Sequence, residues 1–188
     1  MSWPGAACRG AAAGPVTQCA APPQHGVEQG EEQGMSAPTT ASELIDHILA
    51  RFHETHRDEL PRIVALARGL EARGATPALA DDLEWLAQAL EMHMFKEEMR
   101  LFPMMEQGGN TLILHLVDDM LSEHVAHADV VAGLEGRLAV LAAPAGSEPE
   151  VAALRAAVGK LFDDLRQHTA LEERVLFPMF ESHRRAVS

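Results

Sequence analysis

Between about Thr40 and Ser182, apolar residues recur every three or four positions in four successive stretches. This spacing places them along one face of an α-helix and predicts four amphipathic helices. Each apolar stripe is interrupted only once, by a short insertion of His, or of His and Glu. The predicted core positions are Leu49, His53, His56, Leu60, Ile63, Ala67 and Leu70; Leu79, Leu83, Leu86, Leu90, His93, Glu97 and Leu101; Val117, Met120, His124, His127, Val131, Leu134 and Leu138; and Val151, Leu154, Val158, Leu161, Leu165, His168, Glu172 and Val175.

Capping residues and turns mark the ends of these helices. The predicted bounds are a capping box at Thr40-x-x-Glu43 and a stop near Gly74; a start at Thr76-Pro77 and an end by Gly108-Gly109; a start at Asn110 and an end at the Pro144/Gly146 turn; and a second capping box at Ser147-x-x-Glu150 with an end near Ser182. Connections this short require antiparallel neighbours. The prediction is therefore an all-α, up-down-up-down four-helix bundle over residues 40–183.

Residues 1–39 are rich in Gly, Ala, Pro and Gln and have almost no apolar periodicity. Such a segment buries too little surface to offset its ordering entropy, so we predict a disordered, low-complexity tail. An alternative hypothesis is that translation begins at Met35, because Glu31-Glu32 can be encoded by a purine-rich ribosome-binding sequence.

The charge and the cysteines narrow the function classes. A formal net charge of −13 argues against nucleic-acid or anionic-membrane binding, since either needs clustered Lys and Arg. Both cysteines, Cys8 and Cys19, lie in the tail, so the predicted bundle has neither a disulfide nor a thiolate ligand. We therefore expect a cytoplasmic protein.

The polar insertions in the four stripes fall at one level of the predicted bundle. At about 1.5 Å rise per residue, counting from the helix ends places His53, Glu97, His93, His124 and His168 in a single layer. Buried carboxylates are costly unless they converge on cations. A layer of imidazole and carboxylate groups in the core therefore predicts a metal site.

An internal repeat gives this site its symmetry. The pattern H-x3-EE-x2-LFPM-x-E begins at His93 and again at His168, and an H-x2-H pair precedes each copy, at His53/His56 and at His124/His127. The chain thus contains two helical hairpins, and two facing half-sites imply two metal ions. Within each H-x3-E, one helical turn separates the residues, so Glu97 and Glu172 can bridge both ions while each His binds one.

Imidazole and carboxylate donors without thiolate suit iron or manganese, and a paired carboxylate-bridged site favours iron. A single zinc ion would need fewer ligands than are present. Two coordination positions would remain for a bridging oxygen and a small ligand. The spacing alone leaves open whether His53 or His56, and His124 or His127, binds metal.

The remaining residues near the repeat are assigned simpler roles. We expect Glu98 and Glu173 to be solvated rather than ligating, and Glu123 is a candidate for lining a route to the metal. Pro103 and Pro178 should kink or loosen their helices after the ligands. Side chains expected to pack in the core around the site are Phe102, Met104, Phe177 and Met179.

The two H-x3-E motifs, each followed by LFP, resemble the hemerythrin-like (HHE cation-binding) family. The segments ELIDHILARFHETHRDELPRIVALA, HMFKEEMRLFPMM and DDLRQHTALEERVLFPMFE, with the SEH of the third helix, resemble most closely its di-iron iron–sulfur cluster repair proteins. The resemblance covers residues 43–181. It implies an oxo- and carboxylate-bridged di-iron centre with ligands His53, His93, Glu97, His124, His168 and Glu172.

The resemblance also implies function. The first expectation is a stress-response protein that meets nitric oxide or oxidants and helps to rebuild damaged clusters in apo iron–sulfur proteins. The alternative is a hemerythrin-type module that binds O2 or NO for scavenging, storage or sensing, and a third is a di-iron oxidase or peroxidase. The family usually has an N-terminal domain with an adjacent Cys-Cys pair, which Cys8 and Cys19 do not match. The sequence is also compatible with a homodimer.

Overall fold

The computed structural model describes residues 40–76 and 78–181, and in these residues every regular element is helical. The predicted all-α bundle is confirmed. Its four long helices are α1, made of Ala41–Ile48, Leu49–His53 and Glu54–Ala72; α2, made of Ala80–Lys96, Glu97–Leu101 and Phe102–Glu106; α3, Ile113–Ala139; and α4, made of Glu148–Leu171, Glu172–Leu176 and Phe177–Phe180.

Each helix packs against two others. Helix α1 contacts α2 and α4, and α3 contacts the same two helices from the opposite side. The buried apolar residues form two clusters at different levels of the bundle. One contains Leu60, Leu86 and Phe162, and the other contains Ile48, Leu101 and Ile113. The buried His and Glu residues lie between these clusters in sequence on all four helices, so they form a polar layer with apolar packing at both ends.

The first helix begins and ends as the sequence predicts. Thr40 and Glu43 form the reciprocal capping box, in which Glu43 N–H donates to Thr40 Oγ1 and Thr40 N–H donates to the Glu43 carboxylate. Gly74, with φ of 68°, follows the last turn of α1. A positive φ is easily adopted only by glycine, which explains why the helix stops there.

The predicted start of α2 at Thr76-Pro77 was wrong at Thr76, which lies in a bend, and Pro77 lies outside the described residues. The helix begins at Ala80 because Glu71 caps it from α1. The Glu71 Oε1 atom accepts hydrogen bonds from the backbone N–H groups of Leu79 at 2.5 Å and Ala80 at 2.7 Å. A cap supplied by another helix leaves no signal in the local sequence.

The starts of α3 and α4 also differ in detail from the predictions. Asn110 caps the turn before α3 by accepting from Leu112 N–H at 2.8 Å, and the helix itself begins at Ile113. Ser147 is the N-cap residue of α4, but its side chain makes no capping hydrogen bond, so the second capping box was wrong. Glu150 instead pairs with Arg73, the C-cap residue of α1.

Three of the helices contain a π-turn, in which an N–H donates to the carbonyl five residues earlier. These turns are Leu49–His53, Glu97–Leu101 and Glu172–Leu176. Two of them end immediately before the Phe-Pro of an LFPM motif. Proline cannot donate a backbone hydrogen bond, and in these two helices it follows the change of pattern. It does not require the change, because Pro61 lies inside the regular part of α1.

The π-turn in α4 corrects two predicted core positions. It inserts an additional residue into the turn, so that Leu176 is buried while Val175 is exposed. Met179 is also exposed, and Phe180 takes the buried position in the last turn. Phe102 and Phe177 are buried as predicted, and Met104 is half-buried.

The predictions for residues 1–39 and for the region beyond residue 181 lie outside the described residues. Within the described part, none of the helices combines the length and apolar character needed to span a lipid bilayer.

Candidate metal centre

All six predicted ligands lie in the polar layer and are buried. His53 ends the π-turn of α1, while His93 and Glu97 lie at the junction of α2 with its π-turn. His124 lies in the regular part of α3. His168 and Glu172 occupy the same positions in α4 that His93 and Glu97 occupy in α2. Four antiparallel helices therefore each direct at least one of these side chains to one level of the core.

These residues form two groups that share both glutamates. One group is His53, His168, Glu97 and Glu172, and the other is His93, His124, Glu97 and Glu172. Within each group the candidate ligand atoms lie within 4.8 Å of one another. The Nε2 atoms of His53 and His168 are 3.3 Å apart, and those of His93 and His124 are 3.1 Å apart. The arrangement can hold two cations bridged by two carboxylates.

The carboxylate oxygens support a metal at this place. Both oxygens of Glu97 and the Oε2 atom of Glu172 are buried without a hydrogen-bond partner. They do lie near imidazole nitrogens, with Glu97 Oε2 at 3.3 Å from His53 Nε2 and Glu172 Oε2 at 3.2 Å from His124 Nε2. Buried acceptors without donors are costly, and bound cations would satisfy them.

The protonation of the protein without metal leads to the same conclusion. Burial and the nearby Glu172 carboxylate raise the pKa of Glu97 well above its ordinary range. Burial also opposes ionisation of Glu172, but His168 and His124 hold the pKa of that carboxyl well below its ordinary range. Two close carboxylates cannot both be charged in a buried site unless cations balance them. A pair of metal ions would allow both to ionise.

The imidazoles favour the neutral form that binds metal. Burial lowers the pKa of His53 to about 4, and it lowers the pKa of His93 to about 4 as well. His124 differs, because the Glu172 and Glu173 carboxylates outweigh burial and raise its pKa. Neutral imidazole is the form with a free lone pair, so His53 and His93 would bind metal at neutral pH without first losing a proton.

Three carboxylates outside the two groups contact the opposite nitrogens of the histidines. Glu98 lies 2.7 Å from His53 Nδ1, Glu173 lies 2.9 Å from His124 Nδ1, and Glu123 lies 3.0 Å from His93 Nδ1. Glu98 and Glu173 lie outside both groups and Glu173 is exposed, but their contacts with histidines were not predicted. Such contacts fix the tautomer and orientation of a ligating imidazole and raise its basicity.

The sequence contains a signal for two of these three contacts. A second Glu follows Glu97 and Glu172 in both copies of the repeat, and on a helix it points to the neighbouring helix rather than to the site. Glu98 and Glu173 therefore reach the histidines of α1 and α3. Glu123 has no equivalent in the other half, where Phe52 takes its place.

Three of the histidine rings stack on phenylalanine rings. Phe102 stacks on His53 with the ring centroids 5.8 Å apart, and Phe177 stacks on His124 at 6.2 Å. These phenylalanines come from the two LFPM motifs, so the repeat explains both contacts. Phe52 stacks on His168 at 5.1 Å with an interplanar angle of 7°. These planar contacts limit the rotation of the three imidazole rings.

His56 and His127 belong to neither group. His56 is fully buried against His168, and neither of its ring nitrogens has a hydrogen-bond partner. Burial lowers its pKa to about 3, so it is neutral. His127 packs edge-on against His93, with the ring centroids 5.3 Å apart. The structure thus separates the two members of each H-x2-H pair, which spacing alone could not do.

A cavity of about 200 Å³ reaches the site from one side. Its lining includes His93, His124, His127 and His168, together with apolar residues such as Phe162. The cavity touches histidines of both groups, and it is large enough for a diatomic molecule or several waters.

The donor set fits two iron ions. Four imidazoles and two bridging carboxylates, without a thiolate, match the preference of iron for nitrogen and oxygen ligands in a helical bundle. The carboxylates without hydrogen-bond partners are the atoms that two ions would bind. The buried His and Glu groups can therefore form a di-iron centre.

Comparison with known proteins gives a consistent result. The family model for the hemerythrin HHE cation binding domain matches residues 44–180. The chain is 35% identical over 141 residues to an iron–sulfur cluster repair protein YtfE of Enterobacter sp. (strain 638), covering 72% of this chain and 64% of that protein. It is 33% identical over 153 residues to proteins of the same name from Citrobacter koseri and Escherichia coli, covering 79% of this chain and 69% of each. The chain thus spans about two thirds of the length of these relatives.

Proposed function

The chain belongs to the hemerythrin HHE cation-binding family, and from this premise we propose that it is a di-iron protein that assists iron–sulfur cluster repair. The main support for the proposal is the pair of buried four-residue groups that share Glu97 and Glu172. The relatives at 33–35% identity are named iron–sulfur cluster repair proteins, and the matched residues include the whole predicted site.

The proposed ligands follow from the two groups. His53 and His168 would hold one iron and His93 and His124 the other, with Glu97 and Glu172 shared by both groups. Iron bound there supplies a redox-active metal pair that can take a small ligand or be transferred to an acceptor. The chain's own side chains hold the geometry, since Glu98, Glu123 and Glu173 orient three imidazoles and the apolar clusters limit the access of water.

The proposed partners are apo iron–sulfur proteins in the cytoplasm under nitrosative or oxidative stress. An apo iron–sulfur acceptor offers thiolate ligands, which favour iron–sulfur clusters, whereas this site offers iron only imidazole and carboxylate. Iron would therefore move from this bundle to an acceptor rather than in the reverse direction.

A second candidate function is reversible binding of NO or O2. The cavity of about 200 Å³ favours it, because a diatomic molecule entering there would meet His93, His124 and His168 directly. Binding and repair differ in what happens to the iron: a binding module keeps both ions through repeated cycles, whereas a repair protein loses iron to its acceptor.

The test is to mix the reduced, iron-loaded protein with an apo iron–sulfur acceptor and added inorganic sulfide, and to follow both partners. Cluster formation in the acceptor with matching loss of iron from this chain is the expected result. The matched control is the Glu97→Gln variant, which keeps the shape of the side chain but should load little iron. Retention of all iron, together with a reversible spectral change on adding and removing NO, would instead support the binding module.

A further inference from the structure

The two iron positions of the proposed centre have different surroundings, although the repeat makes them nearly symmetric. The His53–Glu98 contact corresponds to His124–Glu173, and the stacking of Phe102 on His53 corresponds to that of Phe177 on His124. The contact of His56 with His168 corresponds to that of His127 with His93.

One pair of equivalent positions breaks this symmetry. Phe52 precedes His53 as Glu123 precedes His124, so the two residues occupy the same place in the two halves. Glu123 contacts Nδ1 of His93 at 3.0 Å, whereas Phe52 stacks on the face of His168. Among the described residues, no carboxylate contacts His168 Nδ1, so His168 is the only one of the four proposed histidine ligands without such a partner there.

The difference bears directly on metal affinity. A carboxylate on the far nitrogen of a ligating imidazole makes it a stronger donor, and its loss typically lowers metal affinity 10–100-fold. The position formed by His93 and His124 has two such carboxylates, Glu123 and Glu173. The position formed by His53 and His168 has one, Glu98.

A neighbouring cation also partly neutralises Glu98, the carboxylate at the position formed by His53 and His168. Glu98 Oε1 accepts a hydrogen bond from Arg57 Nη1 at 2.8 Å as well as contacting His53. The Arg57 guanidinium therefore partly neutralises the Glu98 carboxylate and weakens its effect on the His53 imidazole. Glu123 is shared in the same way with Lys96, but Glu173 supports His124 in addition.

We propose that the two irons are bound unequally, and that the ion held by His53 and His168 is the weakly bound one that leaves first. The proposal rests on the proposed function, because it assigns to one position the iron that a repair protein would transfer. The ion held by His93 and His124 would then remain behind and keep Glu97 and Glu172 in place.

The experiment measures the release of ferrous iron from the reduced, fully loaded protein into an excess of a coloured ferrous chelator under anaerobic conditions. The wild type should release one iron per chain in a fast phase and one in a phase roughly 10–100-fold slower. Two irons leaving in one phase would overturn the proposal. A chain that loads fewer than two irons would instead contradict the proposed function itself.

Variants then assign each phase to a position. Glu123→Ala and Glu173→Ala should accelerate the slow phase roughly 10-fold or more and leave the fast phase unchanged, whereas Glu98→Ala should accelerate only the fast phase. Glu123→Gln, which retains an acceptor oxygen without the charge, should give an intermediate rate for the slow phase. Acceleration of the fast phase by Glu123→Ala would reverse the assignment and overturn the proposal.

A substitution at Phe52 should strengthen iron binding at the weaker position. Phe52→Glu places a carboxylate where Glu123 stands in the other half and should slow the fast phase towards the slow one. If a charge at this buried position prevents folding, the variants of Glu98, Glu123 and Glu173 still decide whether the two irons are bound unequally. His56→Leu is the control for a third ligand: both phases should be unchanged, and loss of one iron would show that His56 binds metal and would overturn the proposal.

Discussion

Two histidines one turn apart on α1, His53 and His56, have different surroundings. Both histidines lie on the buried face of α1, and spacing three residues apart allows either to face the same layer. The structure places His53 in a four-residue group and leaves both nitrogens of His56 without partners. A buried imidazole with two unsatisfied nitrogens costs stability, because each loses its hydrogen bonds to water on folding.

His56→Leu should therefore stabilise the metal-free protein by about 1 kcal/mol, since it removes the unsatisfied nitrogens while keeping an apolar side chain. Urea denaturation of the metal-free variant and wild type measures the difference. His127→Leu is the matched control, because His127 borders a cavity and should give a smaller gain. A His56→Leu variant that is less stable than the wild type would contradict this account of His56.

At the element scale, the π-turns and a cap between helices decide where side chains point. Leu176 replaces Val175 in the core because the π-turn Glu172–Leu176 inserts one residue into the period. The predicted core positions of α1, α2 and α3 are all buried, apart from the half-buried Leu49. They could be predicted because the period of the apolar residues can be read directly from the sequence. The position of a π-turn depends on which carbonyls find donors, and that is decided by packing.

Contacts between helices also depend on packing and are difficult to predict from the sequence. The H-x3-E repeat predicted four of the six site residues, and the family resemblance was needed to choose His53 and His124 from the two H-x2-H pairs. The structure brings all six together. The carboxylates of Glu98, Glu123 and Glu173 were not assigned to histidines, because each contact joins two different helices. The cap that Glu71 gives to α2 could not be predicted for the same reason.

Removal of the Glu71 cap should loosen the start of α2. Glu71→Ala leaves the N–H groups of Leu79 and Ala80 without their acceptor and should cost about 1 kcal/mol of folding free energy. Chemical denaturation measures this loss. Glu71→Gln is the control, since its amide oxygen can accept the same hydrogen bonds, and equal destabilisation by both substitutions would show that charge rather than capping is responsible.

At the scale of the whole molecule, the bundle has two apolar clusters separated by a layer of buried His and Glu that could hold metal. Without metal, this layer contains neutral imidazoles and a carboxyl pair that cannot fully ionise. The binding free energy of the ions would therefore be in part folding free energy. Metal loading and stability should change together.

The metal-free protein should also lose stability as the pH falls. His53, His56 and His93 have an ordinary pKa of 6.5 in the unfolded chain, and burial lowers it to about 4, 3 and 4 in the fold. Between these values each of the three histidines binds more protons in the unfolded state and lowers the free energy of unfolding by at most about 1.4 kcal/mol per pH unit. The raised pKa values of His124 and Glu97 act in the opposite direction and reduce the net slope. Urea denaturation from pH 7.5 to 5 measures the slope, which should be smaller in His56→Leu. A stability independent of pH in this range would contradict the burial of neutral histidines.

If Glu97 and Glu172 bridge two irons, the iron content per chain should depend on both carboxylates. The wild type should contain about two irons per chain with a di-iron optical spectrum, as the two groups require. Glu97→Ala and Glu172→Ala should each fall well below two, because each removes a ligand from both ions, while Glu54→Ala on the exposed face of α1 should retain both. A wild type without iron near two per chain, or glutamate variants that keep it, would contradict the account.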